Sequence, residues 1–225
     1  MERISAAALS LFAEHGYDST TMRDVARHAK VALGTLSLYA TDKRDLTLLV
    51  FNEQIAKLTA SGVSAAHTLE GGPLSDRLAA LFSEFYIEWE KNATLARIFL
   101  QVNFYSRGMH SEGYQANRRQ ISLEIEYLVK NARATGEISS TEDAKVIAQH
   151  FFFLFSSAAR SWIAEDAPVA EDGIAYLHRL IRLQVQGLGP AARSAVAPEA
   201  SVRASTSRSM AHARRKTRAT AKSAA

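Results

Sequence analysis

The chain has 225 residues, no cysteine and a formal net charge of +4 at pH 7. The lack of cysteine excludes disulfides, thiolate zinc sites and thiol-based redox sensing. Eight of the 27 basic residues and one of the 23 acidic residues lie after residue 189, so residues 190–225 carry +7 and the first 189 residues −3. Without a long apolar run or a signal-peptide pattern, we expect a cytoplasmic protein that does not associate with a membrane.

Two short helices joined by a tight turn are predicted between Thr20 and Leu46. Thr21 with Asp24 three residues later is a capping-box-like helix start, with the shorter acid in place of Glu or Gln. A second short helix is expected over about 32–38, and Asp42 is a suitable N-cap for the helix that follows. This order of elements is the layout of a helix-turn-helix.

The rest of the chain to residue 189 is helical by apolar periodicity, with no competing strand signal. We expect helices over about 42–66, from 74 onward, and over 94–104, 114–135, 142–165 and 169–187. Gly108 and Gly113 are expected to bracket a loop. The predicted fold class is therefore all-α.

Residues 190–225 are rich in Ala, Ser, Thr and Arg and have almost no large apolar side chains, so we expect a disordered basic tail. Two interpretations stay open. The tail is a basic arm, centred on Arg214, Arg215 and Lys216, that contacts DNA phosphates without sequence preference, or it is a solvated extension.

A set of residues in the first fifth of the chain follows a recurrent pattern: Leu11-Phe12, Gly16-Tyr17, Thr20-Thr21, Val25-Ala26, Ala29, Val31, Gly34-Thr35-Leu36, Tyr39, Lys43 and Leu46. In residue type and spacing this set resembles the N-terminal domain of the TetR family of transcriptional regulators. The resemblance implies a three-helix DNA-binding head at 1–46, a helical ligand-binding and dimerisation domain at 47–189, and the tail at 190–225.

The resemblance also implies the DNA-contacting positions of the head, which we expect to be Thr21, Arg23, Lys30, Leu33, Gly34, Thr35, Ser37, Leu38, Tyr39 and Lys43. Several positions depart from the family pattern. Lys30 stands at the usual turn glycine, which costs about 1–2 kcal/mol if the backbone there is left-handed. Ala32 replaces a capping Ser, and Ser37 and Ala40 replace aromatic residues.

Lys43 lies in the first turn of its helix, where the helix dipole disfavours a cation. A bound phosphate at that helix end would compensate, because helix N-termini attract anions. The sequence therefore predicts that Lys43 contacts the DNA backbone.

The last two long helices carry apolar surface that predicts association. The stripe on the last helix has alternating spacings of three and four, as in a short coiled-coil seam, and residues 151–155 of the preceding helix are apolar all round. By resemblance these helices pair with a second subunit, although they could instead fill the core of a monomer. The expected interface residues are Phe152, Ile174, Leu177, Ile181, Val185 and Leu188.

Aromatic residues cluster in the middle helices, and the resemblance implies a mostly apolar ligand cavity there. The candidate ligand-binding residues are Phe85, Trp89, Phe99, Phe104, Tyr105, Tyr127, Phe151 and Phe155. For each of them, packing in the core is the alternative to ligand contact. We expect a small-molecule effector whose binding favours a conformation that releases DNA.

We predict a homodimeric, sequence-specific DNA-binding regulator that binds near-palindromic double-stranded DNA and acts as a repressor released by a small, mostly apolar ligand. The alternative is a helical ligand-binding or scaffold dimer with a degenerate head. No catalytic residues, cofactor or metal are expected, because the seven histidines are scattered and no phosphate-binding loop or nucleophile elbow occurs. A small helical enzyme is the third and weakest hypothesis.

Overall fold

The computed structural model describes residues 1–102 and 108–189, and every regular element in these two ranges is an α-helix. The all-α prediction is confirmed for them. The predicted tail, with Arg214, Arg215 and Lys216, lies outside the described residues. The helices are α1 Glu2–His15, α2 Met22–His28, α3 Leu33–Ser37, α4 Lys43–Thr68, α5 Leu74–Lys91, α6 Ala93–Val102, α7 Ser111–Ala134, α8 Ala144–Ile163 and α9 Ala170–Gly187.

Helices α1, α2 and α3 and the first turn of α4 surround a small apolar core of their own. Phe12, Val25, Leu36 and Leu46 are fully buried there, and Ile98 of α6 closes one side of this core. Because α2 and α3 have seven and five residues, they are too short to be stable alone. Packing against this core therefore holds both short helices in place.

The predicted starts of α2 and α4 are confirmed. The Thr21 hydroxyl accepts a hydrogen bond from the Asp24 N–H at 3.2 Å, and the Asp24 carboxylate accepts one from the Thr21 N–H at 3.1 Å. At α4 the Asp42 carboxylate accepts from the Asp45 N–H at 2.8 Å. These side chains satisfy N–H groups that have no partner within the helix, and they fix both helix starts.

Helices α4 to α9 form a second, larger core in which α5 is central. Helix α5 packs against α4 and α9, while α7 packs against α8 and α4. Phe155 of α8 meets α5 at the middle of this core, where its ring stacks on that of Phe82 with centroids 4.1 Å apart. The aromatic residues of the middle helices therefore serve first as packing between helices.

The predicted loop boundary at Gly113 is wrong, because α7 begins at Ser111 and Gly113 lies inside the helix. A Cβ at Gly113 would come within 2.9 Å of the Asn52 Nδ2 atom on α4. The glycine therefore permits a close approach of two helices rather than a loop. The predicted extension of α6 to residue 104 falls partly on residues 103–107, which lie outside the described residues.

Candidate nucleic-acid interface and ligand cavity

Helix α3 buries one side chain and exposes the others. Leu36 is fully buried, whereas Leu38 is 77 % exposed at the C-terminal end of the helix. The other predicted contacts of the head, apart from the half-buried Lys43, are also exposed: Thr21, Arg23, Lys30, Leu33, Gly34, Thr35, Ser37 and Tyr39. Such a surface is available to a DNA groove, and the role of each residue in DNA contact stays a prediction.

The turn between α2 and α3 adopts the strained conformation expected from the sequence. Lys30 has φ 55°, the one left-handed backbone angle found at a non-glycine residue in the described ranges. The Lys30 N–H donates to the Arg27 carbonyl and the Val31 N–H to the Ala26 carbonyl, so the chain reverses as a glycine turn would. Helix α3 then begins after Ala32 without a side-chain cap.

Lys43 has partners within the protein that the sequence did not indicate. Its ammonium group donates to the carbonyl of Tyr17 at 2.7 Å and that of Asp18 at 3.3 Å, and it lies 4.2 Å from the centroid of the Tyr17 ring. Lys43 therefore ties the start of α4 to the α1–α2 loop. One of its three N–H donors remains for a phosphate. The next residue, Arg44, is an exposed cation that sequence reasoning missed.

An apolar cavity of about 40 Å³, here called the inner cavity, lies among α4, α5, α6, α7 and α8. Four of the predicted ligand-binding residues line it: Phe85, Trp89, Phe99 and Phe155. Phe152, which was predicted at a dimer interface, also lines it. Its volume holds only a few water molecules, so a larger ligand requires the surrounding helices to separate.

Of the other four predicted ligand-binding residues, two lie within the described part of the chain, and neither lines the inner cavity. Phe151 is fully buried in the core and does not line the inner cavity. Tyr127 is 42 % exposed and stacks on the His67 ring at the surface, so neither residue is placed to contact a ligand there. Phe104 and Tyr105 lie outside the described residues.

The polar side chains that line the inner cavity include Arg118, Arg160 and Tyr114. Arg160 donates to the carbonyls of Ser156 and Leu100, and burial lowers the pKa of its guanidinium. Burial raises the pKa of the Tyr114 phenol, and the charges of Arg118 and Arg160 oppose that shift. The inner cavity is thus lined by aromatic side chains together with two arginines.

A buried carboxylate, Asp45, joins the head to the segment that precedes α7. It accepts from the N–H and hydroxyl of Thr41 and, at 2.8 Å, from the N–H of His110. The His110 ring in turn lies with Nε2 2.7 Å from the carbonyl oxygen of Tyr39, just after α3. We call these four residues, Tyr39, Thr41, Asp45 and His110, the joint.

The joint is tightly packed, and its hydrogen bonds stabilise the charged form of the Asp45 carboxylate. Burial acts to raise the pKa of the Asp45 carboxyl, but the hydrogen bonds from Thr41 and His110 outweigh it, and the pKa lies below its ordinary value. A Cβ at Gly108 would overlap the Asp45 carboxyl group, so only glycine fits there without displacement. Asn52 of α4 extends the contact by donating to the His110 carbonyl at 2.9 Å.

The predicted dimer stripe on α9 is largely internal. Leu177 and Ile181 are fully buried in the protomer core, and Ile174 and Val185 are half-buried against it. Leu188 lies beyond the helix as its C-cap, and its carbonyl accepts from the N–H groups of Ser139 and Ser140.

Other apolar residues of α8 and α9 are exposed instead, namely Val146, Phe153, Tyr176 and Leu183. Sequence reasoning missed all four as interface candidates. Helical spacing places Val146 and Phe153 on one side of α8, two turns apart, and Tyr176 and Leu183 likewise on α9.

Within residues 1–102 and 108–189, no group of three or more His, Asp or Glu side chains is arranged to hold a metal ion. The same ranges contain no helix that is both long and apolar enough to cross a membrane.

Residues 4–50 match the family model described as bacterial regulatory proteins, tetR family. A curated relative, the fatty acid metabolism regulator protein of Bacillus subtilis (strain 168), is 21% identical over 183 residues. The match covers 81% of this chain and 92% of the relative.

Solved structures of similar fold include the transcriptional regulator FadR of Bacillus subtilis in complex with stearoyl-CoA. It has a TM-score of 0.65 and 21% identity, with 83% of this chain and 98% of that chain covered. Thermus thermophilus FadR, a transcriptional repressor in complex with lauroyl-CoA, has a TM-score of 0.60 and 21% identity. That match covers 88% of this chain and 98% of that one.

Proposed function

The chain belongs to the TetR family of bacterial regulatory proteins, and we propose that it is a repressor released from a near-palindromic DNA site by an acyl-CoA. It is a DNA-binding transcriptional regulator and not an enzyme. The observation that carries the proposal is the matched head at residues 4–50, whose third helix buries Leu36 and leaves its other side chains exposed. As a regulator of bacterial DNA, it acts in the cytoplasm.

We propose that two copies associate through the exposed apolar residues of α8 and α9, here called the α8–α9 face: Val146, Phe153, Tyr176 and Leu183. A homodimer presents two recognition helices, which suits a site with two half-sites in successive major grooves. The buried Leu177 and Ile181 contribute by holding α9 against its own protomer.

The proposed ligand class rests on the inner cavity together with the relatives. Aromatic and aliphatic side chains line the inner cavity, as an acyl chain requires, and two relatives of the same fold were solved with stearoyl-CoA and lauroyl-CoA. At about 40 Å³ the inner cavity is too small for such a chain. The ligand therefore binds a wider conformation more tightly than the observed one. This difference in affinity between the two conformations couples ligand binding to the conformational change.

The joint offers a route from the inner cavity to DNA. Tyr114 of α7 lines the inner cavity, and α7 begins at Ser111, directly after His110. His110 contacts the carbonyl of Tyr39 and the carboxylate of Asp45, on either side of the link between α3 and α4. Displacement of the start of α7 by a ligand would therefore shift α3, and in a dimer it would change the spacing of the two heads.

A head that no longer reads sequence is the second candidate function, favoured by the strained Lys30 turn and the uncapped start of α3. A competition gel-shift assay with DNA flanking the protein's own gene separates the two candidates. The repressor binds that DNA saturably against an excess of scrambled DNA of equal length. Binding that is equal for both DNAs and merely salt-sensitive would overturn the repressor and support the second candidate.

The same assay tests α3 as the reading element. We expect Leu38→Ala and Thr35→Ala to change preference among DNA variants while the salt dependence stays as in the parent protein. Leu38 is well suited to this test because it is 77 % exposed, so that its truncation leaves the head core intact.

A further inference from the structure

A second depression, here called the α7–α8 basin, opens at the surface beside the inner cavity. It has a volume of about 410 Å³ and is lined by residues of α7 and α8. Arg118 and Phe152 line both the basin and the inner cavity, so these two side chains lie between the apolar interior and the surface depression. Phe152 is only 9 % exposed, and a change of its rotamer would connect the two spaces.

The α7–α8 basin carries excess positive charge. Three of its lining residues are cations, Arg118, Arg119 and Lys145, and one is an acid, Glu126. The Glu126 carboxylate is already paired with Lys130 at 2.6 Å. Among the described residues, none of the three cations has a carboxylate within ion-pair distance. The basin therefore attracts an anion that the protein itself does not supply.

Arg118 is held in place by ring contacts rather than by hydrogen bonds. Its guanidinium carbon lies 5.1 Å from the Phe152 ring centroid and 5.9 Å from that of Tyr114. These contacts orient the planar group, while its N–H donors have no hydrogen-bond acceptor among the described residues. Arg118 is thus positioned to donate to a polar group that passes from the inner cavity to the basin.

We propose that the α7–α8 basin binds the phosphate-bearing head group of an acyl-CoA whose acyl chain enters the inner cavity beside Phe152. This inference rests on the proposed ligand class. Arg119 and Lys145 contact the phosphates, and Arg118 contacts the thioester region between head group and chain. Because a free fatty acid carries a single charge and no phosphates, the basin distinguishes the CoA ester from the acid.

Calorimetric titration of the full chain with lauroyl-CoA, laurate and CoA tests this assignment. The variant is Arg119→Ala/Lys145→Ala, which alters the α7–α8 basin but not the inner cavity. The matched control is Lys57→Ala/Lys91→Ala, which removes two exposed cations elsewhere on the same domain. We expect the variant to bind lauroyl-CoA at least about tenfold more weakly, with reduced salt dependence, while its affinity for laurate stays unchanged.

Each other outcome has a distinct meaning. Unchanged lauroyl-CoA affinity in the variant, or an equal loss for laurate and lauroyl-CoA, overturns the head-group site and leaves the proposed repressor standing. A parent protein that binds selective DNA but neither lauroyl compound refutes the acyl-CoA ligand and, with it, this inference. Size-exclusion chromatography with light scattering accompanies each titration, and a variant that changes oligomeric state assigns the basin to the subunit interface and overturns the inference.

Discussion

The Asp45 carboxylate accepts a hydrogen bond of 2.8 Å from the backbone N–H of His110, and this bond joins the head to the segment before α7. The two residues are 65 positions apart in the sequence, and Asp45 is only 1 % exposed. The carboxylate accepts from two N–H groups and one hydroxyl, and a buried carboxylate without such partners would be costly. The joint is therefore a direct contact through which a ligand-induced displacement in the larger domain can reach the head.

We predict that Asp45→Asn lowers the free energy of unfolding by about 1–3 kcal/mol, because the amide group faces N–H donors that need acceptors. The depressed pKa of Asp45 fixes the sign of the pH dependence. The stabilisation is complete above the ordinary carboxyl pKa of about 3.9 and is lost as the pH falls through the lower folded-state pKa. Urea unfolding at several pH values between 7 and 3 measures both effects.

Asp166→Asn provides the control for this series, because Asp166 is exposed in the loop after α8. It should leave both the stability and its pH dependence as in the parent protein. If Asp45→Asn and Asp166→Asn change the free energy of unfolding equally, the hydrogen bonds of the Asp45 carboxylate do not contribute to stability.

Lys30→Gly should raise the free energy of unfolding by about 1 kcal/mol, since glycine adopts the observed φ of 55° without the Cβ penalty. Lys30→Ala is the informative comparison, because it removes the same charge but keeps the Cβ. Chemical denaturation of the two variants should separate them. A gain of equal size in the alanine variant would trace the effect to charge instead of backbone strain.

We expect Lys43→Ala to lower the stability of the head by about 1–2 kcal/mol, because it removes the hydrogen bonds to Tyr17 and Asp18. It should also weaken binding to all DNA sequences alike and lower the salt slope by about one unit if the remaining donor contacts a phosphate. Thermal unfolding and salt-dependent DNA titration measure the two effects separately.

Arg44→Ala is the matched variant, since Arg44 is exposed at the neighbouring position. It should change stability by no more than about 0.5 kcal/mol. If Lys43→Ala leaves affinity and salt slope unaltered, Lys43 has only a structural role.

Phe153→Asp should shift the protein from dimer to monomer, because it places a charge in the proposed α8–α9 face, where Phe153 is 47 % exposed in one protomer. Leu69→Asp, at an exposed apolar residue that follows α4, should leave the mass unaltered. Light scattering after gel filtration gives the mass directly. A Phe153→Asp protein that remains dimeric would place the interface elsewhere.

Local signals in the sequence predicted much of the head. The Thr21–Asp24 box, the Asp42 cap and the left-handed Lys30 depend on residues within a few positions, where sequence pattern is most informative. The pattern also placed the long helices, with errors of a few residues at their ends.

Three features could not be predicted because they depend on tertiary packing. A stripe through Leu177 and Ile181 predicts a buried face, but periodicity does not say whether the same chain or a partner buries it. The apolar run 151–155 gives no helical phase, so Phe152 at the inner cavity and the exposed Phe153 could not be distinguished. No local sequence pattern indicates the hydrogen bond between Asp45 and His110, because the two residues are far apart in the sequence.

The most direct test is the affinity of the full chain for DNA flanking its own gene, measured by fluorescence anisotropy with and without lauroyl-CoA. We predict saturable, selective binding whose dissociation constant rises by at least about fivefold at saturating lauroyl-CoA. By linkage, the same DNA should weaken lauroyl-CoA binding by the same factor. Selective DNA binding that bound lauroyl-CoA leaves unchanged would contradict the account of a ligand-released repressor.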